Sequence, residues 1–286
     1  MCKDTFFNKK KTLRFRQEIY ELNSPIVMGI LNVTPDSFYD GGKYNSEKDI
    51  IENVEKMISE GATIIDVGAV STKPFSIQIN AEEEVQRLKP VFKILLKHFP
   101  NTWFSIDTYR ADVAKMAVEE YGFGMINDIY AGEFDKKMFL EIARLQVPYL
   151  IMHMQGTPEN MQQKPDYLKI TQEIISYFSN KINELKQLGI NDILIDPGFG
   201  FGKTLEHNYK LLKEISTFKI FELPIVVGLS RKSMIYKLLE NTPDEALNGT
   251  SIVNSIALLN GADILRVHDV KQAVEALKIV EFYENC

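Results

Sequence analysis

The sequence predicts a single-domain (β/α)8 TIM barrel, and two observations carry this prediction. Eight short apolar segments of strand length recur along the 286 residues, and longer segments with a helical apolar period lie between them. The short segments are almost continuously apolar, as is typical of parallel strands that are covered on both faces. A barrel of this kind usually has about 250 residues. A doubly wound open sheet is the structural alternative.

The elements follow one another in regular order. The first helix has Ser46 and Asp49 in the spacing of a capping box, an apolar stripe over residues 50–58, and Gly61 where a helix ends. The predicted strands are Ile26–Leu31, Thr63–Val67, Trp103–Asp107, Gly124–Asp128, Pro148–Met152, Ile193–Asp196, Ile225–Gly228 and Asp263–Val267. Further apolar stripes predict helices at Ala111–Tyr121, Lys136–Leu145, Tyr167–Leu188, Leu205–Ile215 and Gly249–Leu259.

Nothing in the composition divides the chain. We predict a basic N-terminal arm over residues 1–24, as a solvated tail or an edge hairpin, and one barrel domain over residues 25–286. The 33 Lys and Arg residues against 39 Asp and Glu residues give a net charge of −6, which disfavours binding to nucleic acid or to an anionic membrane. There is no secretory signal and no apolar run of about 20 residues. A cytoplasmic protein is expected, and its two cysteines, Cys2 and Cys286, exclude a disulfide framework.

Polar residues stand at or just beyond the end of every predicted strand. One such residue could simply cap the following helix, but the carboxyl ends of all eight strands meet at one mouth of a barrel, where the active sites of this fold lie. Eight together therefore indicate a functional site. These residues are Asn32, Ser71, Thr72, Asp107, Asn127, Asp128, His153, Asp196, Ser230 to Lys232, and Arg266 to His268.

The two kinds of polar residue predict two kinds of contact. Cations follow the seventh and eighth strands, in Ser230–Ser233 and Arg266–His268, where this fold most often binds phosphate. The alternative is that Arg231 and Lys232 are only solvated. Elsewhere Asp107, Asn127 and Asp196 offer oxygen acceptors, which suit the N–H groups of a polar heterocycle.

The segment from Asp196 to Thr204 has glycine at 198, 200 and 202. It lacks the glycine spacing of a P-loop or a dinucleotide-binding loop. We expect it to let a flat ligand approach the backbone, with Phe199 or Phe201 stacked beside that ligand. The sequence has no G-x-S-x-G or H-E-x-x-H motif, so nucleophilic catalysis and a histidine metal site are not supported.

Taken in order, these motifs resemble those of the dihydropteroate synthase family of folate biosynthesis, over residues 28–270. They are MGILNVTPDSF from Met28, SIDT from Ser105, IND from Ile126, MHMQGTP from Met152, the loop from Asp196 to Lys203, SRKS from Ser230 and RVHDV from Arg266. The resemblance implies a (β/α)8 barrel, usually a homodimer. It also implies condensation of 6-hydroxymethyl-7,8-dihydropterin pyrophosphate with p-aminobenzoate, with release of pyrophosphate and with Mg²⁺ as cofactor.

The resemblance also implies a role for each matching residue. Asp107, Lys232 and Asn32 would be catalytic, and Asn32 would bind the Mg²⁺ together with the pyrophosphate. The pterin ring would be held by Asp107, Asn127, Asp196 and Lys232, with Met152 and Phe201 lining the pocket. The pyrophosphate would be bound by Thr72, Arg266 and His268, and the p-aminobenzoate side would comprise Ser230, Phe201, Lys73 and Pro74.

One segment departs from the family. Where the family commonly reads Gly-Gly-Glu-Ser-Thr-Arg-Pro-Gly, this chain reads GAVSTKPF from Gly68 to Phe75. Lys73 keeps the charge of arginine but loses its fork, and Phe75 adds bulk where glycine gives freedom. We therefore expect altered sensitivity to sulfonamides, and we expect Phe75→Gly to restore normal inhibition by them.

Two alternatives to this function remain open: a non-catalytic pterin-binding homologue and a methyltetrahydrofolate:corrinoid methyltransferase barrel.

Overall fold

The structure is a computed structural model that describes residues 11–16, 18–33, 39–40, 43–44, 47–70, 79–157, 161 and 165–286. The strands are β1 (Thr12–Phe15), β2 (Glu18–Glu21), β3 (Ile26–Asn32), β4 (Tyr39–Asp40), β5 (Lys43–Tyr44), β6 (Ile64–Gly68), β7 (Trp103–Asp107), β8 (Met125–Asp128), β9 (Tyr149–Met152), β10 (Ile193–Asp196), β11 (Val226–Val227) and β12 (Ile264–Val267). Eight of them are parallel and form the predicted barrel, in the order β3, β6, β7, β8, β9, β10, β11, β12. A bridge between Ile195 and Ile225 closes the seam between β10 and β11.

Helices lie between the barrel strands. They are α1 (Glu47–Ser59), α2 (Ala81–His98), α3 (Ala111–Tyr121), α4 (Met138–Leu145), α5 (Ile170–Gln187), α6 (Leu205–Lys213), α7 (Ser233–Tyr236), α8 (Leu247–Leu259) and α9 (Val270–Glu284), with a 3₁₀ helix over Ile215–Phe221. Gly61 follows α1 at φ 103°, in the left-handed conformation that the sequence predicts there. Ser46 lies outside the described residues. Within the described ranges, no helix combines the length and apolarity needed to span a bilayer.

Successive side chains along the barrel strands alternate between two cores. One set packs outward against the helices, as Val27, Ile65 and Ile106 do. The other set fills the lower interior of the barrel and comprises Ile26, Met28, Ile64, Trp103, Met125, Leu150, Leu194, Val226 and Ile264. Burial on both faces explains why these strands read as continuous apolar runs.

A hairpin of β1 and β2 covers the lower end of the barrel. Leu13 is buried in the interior core, and the ring of Phe15 stacks on Trp103 with centroids 4.8 Å apart. Two cations of this segment have partners, since Lys11 Nζ lies 2.6 Å from Asp263 and Arg16 donates to the carbonyl of Pro100. The described part of the N-terminal arm is therefore the hairpin of the two predicted forms. Residues 1–10 lie outside the described ranges.

The barrel interior changes character toward the carboxyl ends of the strands. Because side chains on one face recur every second residue, the next inward layer lies two residues beyond each member of the interior core. That layer comprises Ile30, Asp66, Ser105, Asn127, Met152, Asp196, Gly228 and Arg266. Five of these eight residues are polar, whereas the layer below is apolar, and this polar layer is the floor of the mouth.

Candidate active site

One side of the mouth is a hydrogen-bonded network around the buried carboxylate of Asp66. We call its four residues, Asp66, Asp107, Asn127 and Arg266, the carboxylate side. The guanidinium of Arg266 donates from Nε to Asp66 at 2.7 Å and from a terminal nitrogen to Asp107 at 2.6 Å. The amide of Asn127 donates to the same Asp66 at 2.8 Å. These four residues come from β6, β7, β8 and β12, whose parallel register brings their ends together.

The charges of the carboxylate side influence one another strongly. Burial raises the pKa of Asp107, and the Arg266 guanidinium opposes that shift. The negative charges of Asp66, Glu84 and Asp128 raise the pKa of Asp107 further. Since Arg266 is held between two carboxylates, the cation that the family resemblance assigns to pyrophosphate lies beside the acceptors of the pterin pocket.

The opposite side of the mouth comprises Asp196, Lys203, Lys232 and the loop 197–202, and we call it the lysine side. The Lys232 ammonium donates to the carbonyl of Phe199 and lies 4.5 Å from the ring centroid of Phe201. Burial lowers the pKa of Lys232 to about 8, against the attraction of Asp196. A Cβ built on Gly228 would lie 3.8 Å from Lys232 Nζ and 3.9 Å from Asp196 Oδ2. These two predicted pterin residues therefore converge on one point.

Lys203 holds the glycine-rich loop against the end of β9. Its ammonium lies 2.8 Å from the carbonyl of Gly198, 3.0 Å from that of Phe201 and 3.3 Å from that of His153. It also lies 3.1 Å from His153 Nδ1. Burial lowers the pKa of Lys203 to about 7. Burial, and then the nearby charge of Lys203, lower the pKa of His153 to about 2. His153 is thus a neutral partner of the loop.

An apolar wall stands between the two sides. Tyr109, Ile129 and Met152 are buried together, and Phe201 packs against them partly exposed. Met152 and Phe201, the two residues predicted to line the pocket, are thus members of the same wall. Phe199, the other candidate for stacking on a ligand, is instead fully buried in the outer core.

The end of β12 meets the segment after β11 through Ser230 and His268. The Ser230 hydroxyl lies 3.1 Å from His268 Nδ1, so residues assigned to p-aminobenzoate and to pyrophosphate are adjacent. Arg231 forms a two-pronged ion pair with Asp269 at 2.9 Å and is therefore a structural cation. Asn32 is exposed at the end of β3, beside Gly68 of β6. Four further predicted residues, Ser71, Thr72, Lys73 and Pro74, lie outside the described ranges.

Sequence reasoning misses two residues that organise this mouth. Asp66 lies inside an apolar strand, two residues before the end of β6, so a search for polar residues at strand ends does not find it. The available signal is that Asp66 lies two residues after Ile64 and therefore points to the same inward face of β6. Lys203 belongs to the glycine-rich motif, but nothing in the sequence shows that its ammonium is buried.

A parallel (β/α)8 barrel with an acceptor-rich floor and a lysine side is the architecture of a pterin-binding enzyme. The model of the pterin binding enzyme family matches residues 28–268, and the chain belongs to that family. The dihydropteroate synthase of Escherichia coli K12 is 46% identical over 264 residues, which cover 91% of this chain and 92% of that protein.

Solved structures agree with this relationship. The Yersinia pestis dihydropteroate synthase with a sulfonamide drug has a TM-score of 0.90 and 42% identity, covering 96% of this chain and 100% of that one. The Xanthomonas albilineans dihydropteroate synthase with 4-aminobenzoic acid has a TM-score of 0.89 and 33% identity, covering 97% and 100%. Within its family the chain is a dihydropteroate synthase, a transferase.

Proposed function

We propose that the chain condenses 6-hydroxymethyl-7,8-dihydropterin pyrophosphate with p-aminobenzoate at the mouth described above. The observation that carries this proposal is the convergence of Asp107, Asn127, Asp196 and Lys232 at one mouth of the barrel. Their oxygens match the N–H groups of a pterin, and the ammonium matches its acceptor atoms. The relatives crystallised with 4-aminobenzoic acid and with a pterine-sulfa conjugate bind ligands of these two kinds, which supports the assignment.

The chemistry requires position and charge rather than a nucleophilic side chain. The bond from the pterin methylene carbon to the pyrophosphate oxygen breaks, and the amine nitrogen of p-aminobenzoate forms the new bond and loses a proton. Asp107 lies where its carboxylate can stabilise positive charge that develops on the pterin. Lys232 and the floor acceptors fix the ring, so that the amine attacks from one direction.

Magnesium is part of the proposal, with Asn32 as the protein ligand that the family resemblance implies. Asn32 offers an amide oxygen at the exposed end of β3, and the described residues contain no group of three His, Cys, Asp or Glu side chains suited to a metal. Mg²⁺ is often bound through few protein groups, with substrate phosphate oxygens and water as the other ligands. Bound there, the ion would neutralise charge on the departing pyrophosphate.

A homodimer and a cytoplasmic location also belong to the proposal. Helices α8 and α9 pack against each other and carry exposed apolar side chains at helical spacing. These are Ile252, Ile256 and Leu259 on α8, and Ile279, Phe282 and Tyr283 on α9. Such a surface fits a second copy of the chain. Sedimentation should show a dimer that Ile256→Glu weakens.

Release of pyrophosphate by the purified protein, with both substrates and Mg²⁺, tests the proposal. Asp107→Ala and Lys232→Ala should each lower kcat/KM for the pterin substrate at least tenfold, about 1.4 kcal/mol in the barrier. The exposed residues Asp112 and Lys237 provide matched controls as alanine variants. If neither Asp107→Ala nor Lys232→Ala lowers kcat/KM, the pocket assignment is wrong. Pterin binding without pyrophosphate release would instead indicate a non-catalytic homologue.

A further inference from the structure

Asp66 is buried at the centre of the floor and bonds to Asn127, a residue of the proposed pterin site, and to Arg266, the cation assigned to the pyrophosphate of the same substrate. Its side chain has no exposed surface, and a single oxygen, Oδ2, accepts from Asn127 Nδ2 at 2.8 Å and from Arg266 Nε at 2.7 Å. Hydrogen bonds to a charged acceptor are stronger than neutral ones. This one oxygen therefore restrains two neighbouring side chains.

The Asp66 carboxylate decides which end of the Asn127 amide faces the ligand. An amide has two donors on nitrogen and an acceptor oxygen, and the donor end is turned toward Asp66. The amide oxygen is the end left for a ligand N–H. Without Asp66 the amide could rotate and present donors, which would match a different ring edge.

The same carboxylate fixes the guanidinium of Arg266. With Nε held by Asp66 and one terminal nitrogen held by Asp107 at 2.6 Å, the plane of the guanidinium is set by two bonds. Removal of the Asp66 bond would leave Asp107 to hold the guanidinium from one end. Asp107 would then be paired with an arginine that can turn about a single contact.

Stability alone does not account for a carboxylate at this position. The second oxygen of Asp66 has no hydrogen-bond partner among the described residues, and neither has the hydroxyl of Ser105, its register neighbour on β7. A buried unpaired polar atom costs about 1–3 kcal/mol, and an apolar residue at an inward barrel position carries no such cost. A carboxylate at this position is better explained by its hydrogen bonds to Asn127 and Arg266.

We propose that Asp66 is a positioning residue, which orients the Asn127 amide and the Arg266 guanidinium for the dihydropterin substrate. This inference rests on the proposed function. It assigns to the mouth a residue that contacts no substrate atom and acts through two residues that do. Its effect should fall on pterin recognition rather than on p-aminobenzoate.

Two substitutions separate the acceptor of Asp66 from its charge. Asp66→Asn can keep one oxygen at the Oδ2 position, and it removes the negative charge. Asp66→Ala removes the acceptor as well. We expect Asp66→Ala to lower pterin affinity in calorimetry at least tenfold and to change the KM for p-aminobenzoate less than twofold. Asp112→Ala, which removes an exposed carboxylate of α3, is the control and should bind pterin as the wild type does.

The pH profile of Asp66→Asn gives a result that a purely structural role would not produce. Asp107 faces Arg266, Asp66, Glu84 and Asp128, and the negative charge of Asp66 raises the pKa of Asp107. Loss of that charge lowers the pKa, so the acid limb of kcat/KM should move to lower pH. If the acid limb of Asp66→Asn does not move, the inference is overturned. This test remains valid even if Asp66→Ala does not fold. Equal losses for both substrates in Asp66→Ala also overturn it. Wild-type protein that releases no pyrophosphate contradicts the proposed function instead, and pterin binding still tests Asp66.

Discussion

The two sides of the mouth hold their cations by different means. On the carboxylate side, side-chain oxygens of Asp66 and Asp107 hold Arg266, and these residues lie on neighbouring strands in fixed register. On the lysine side, backbone carbonyls of the loop 197–202 accept hydrogen bonds from the ammonium groups of Lys203 and Lys232. One side is specified by side-chain identity and the other by backbone conformation.

This difference predicts where each side is vulnerable. The loop on the lysine side depends on three glycines with positive φ, namely 75° at Gly198, 79° at Gly200 and 59° at Gly202. Residues other than glycine rarely adopt this conformation. The lysine side should therefore fail when the backbone is constrained, whereas the carboxylate side should fail when a carboxylate is replaced.

The largest expected effect comes from Gly198→Ala. A Cβ at this position would lie 1.9 Å from the carbonyl oxygen of His153, so the loop must move away from β9. Left-handed strain and overpacking together should cost about 2–4 kcal/mol in the free energy of unfolding. Urea unfolding measures this loss, and calorimetry should show at least tenfold weaker pterin binding.

Gly189→Ala controls for the backbone conformation alone. Gly189 has a similar φ of 80°, but a Cβ there would meet nothing within 4 Å. Its cost should be about 1–2 kcal/mol, with pterin affinity unchanged. Equal losses of stability in the two variants would contradict the idea that contact with His153 defines the loop.

The next effect concerns the cation that binds the loop carbonyls. Lys203→Met keeps most of the side-chain length and removes the ammonium donor from the carbonyls of Gly198, Phe201 and His153. Of these, the carbonyl of Gly198 keeps a hydrogen bond from the Phe201 N–H. Because unpaired buried acceptors are costly, we expect a loss of about 2–3 kcal/mol in the free energy of unfolding. Lys213→Met, an exposed lysine of α6, is the control. A loss below about 0.5 kcal/mol, within the range of ordinary surface substitutions, would show that the loop keeps its conformation without the Lys203 ammonium.

Protonation of His153 should weaken the lysine side in acid. The pKa of His153 is lowered to about 2 by burial and then by Lys203, against an ordinary value of about 6.5. Between these values the unfolded chain binds a proton that the folded protein does not, so stability falls as pH falls. By pH 5 the loss from this group should be about 2 kcal/mol, and His153→Asn should lack it.

Unfolding curves at about pH 8 and about pH 5, on either side of the ordinary histidine pKa, measure this difference, because the other titrating groups are shared by both proteins. The same comparison with His98→Gln, a partly exposed histidine of α2, controls for the loss of a histidine as such. If His153→Asn loses as much stability in acid as the wild type, His153 does not govern the acid sensitivity.

The fold can be predicted from the sequence because each barrel strand is buried on both faces. All eight predicted strands match the structure to within one or two residues at each end. The apolar stripes do not predict helices α2, α7 and α9. Helix α2 contains Pro90 within its span and buries the charged Glu84. Both features interrupt an apolar stripe, and only the pairing of Glu84 with Arg110 and Thr108 makes its burial possible.

The candidate site can be predicted only where a side chain lies at, next to or just beyond the end of a strand. Asp107 and Asp196 end their strands, Asn127 lies one residue before the end of β8, and the parallel barrel brings them together. Asp66 lies two residues before the end of β6, within an apolar strand, and the choice between Phe199 and Phe201 depends on the path of a glycine-rich loop, which the sequence leaves open. The proposed effect of Phe75 on sulfonamides stays a prediction, because residues 71–78 lie outside the described ranges.

The smallest expected effect concerns the side-chain contact of Phe201 on a side that is otherwise built from backbone. Its ring centroid lies 4.5 Å from Lys232 Nζ, and a cation–π contact of this kind contributes about 0.5–1 kcal/mol. Phe201→Leu should therefore weaken pterin binding two- to fivefold in calorimetry, and Phe201→Tyr should keep wild-type affinity because the ring remains. A loss in Phe201→Leu well above tenfold would mean that the side chain, and not the loop backbone, positions Lys232. The contrast between the two sides of the mouth would then disappear, since both would depend on side-chain identity.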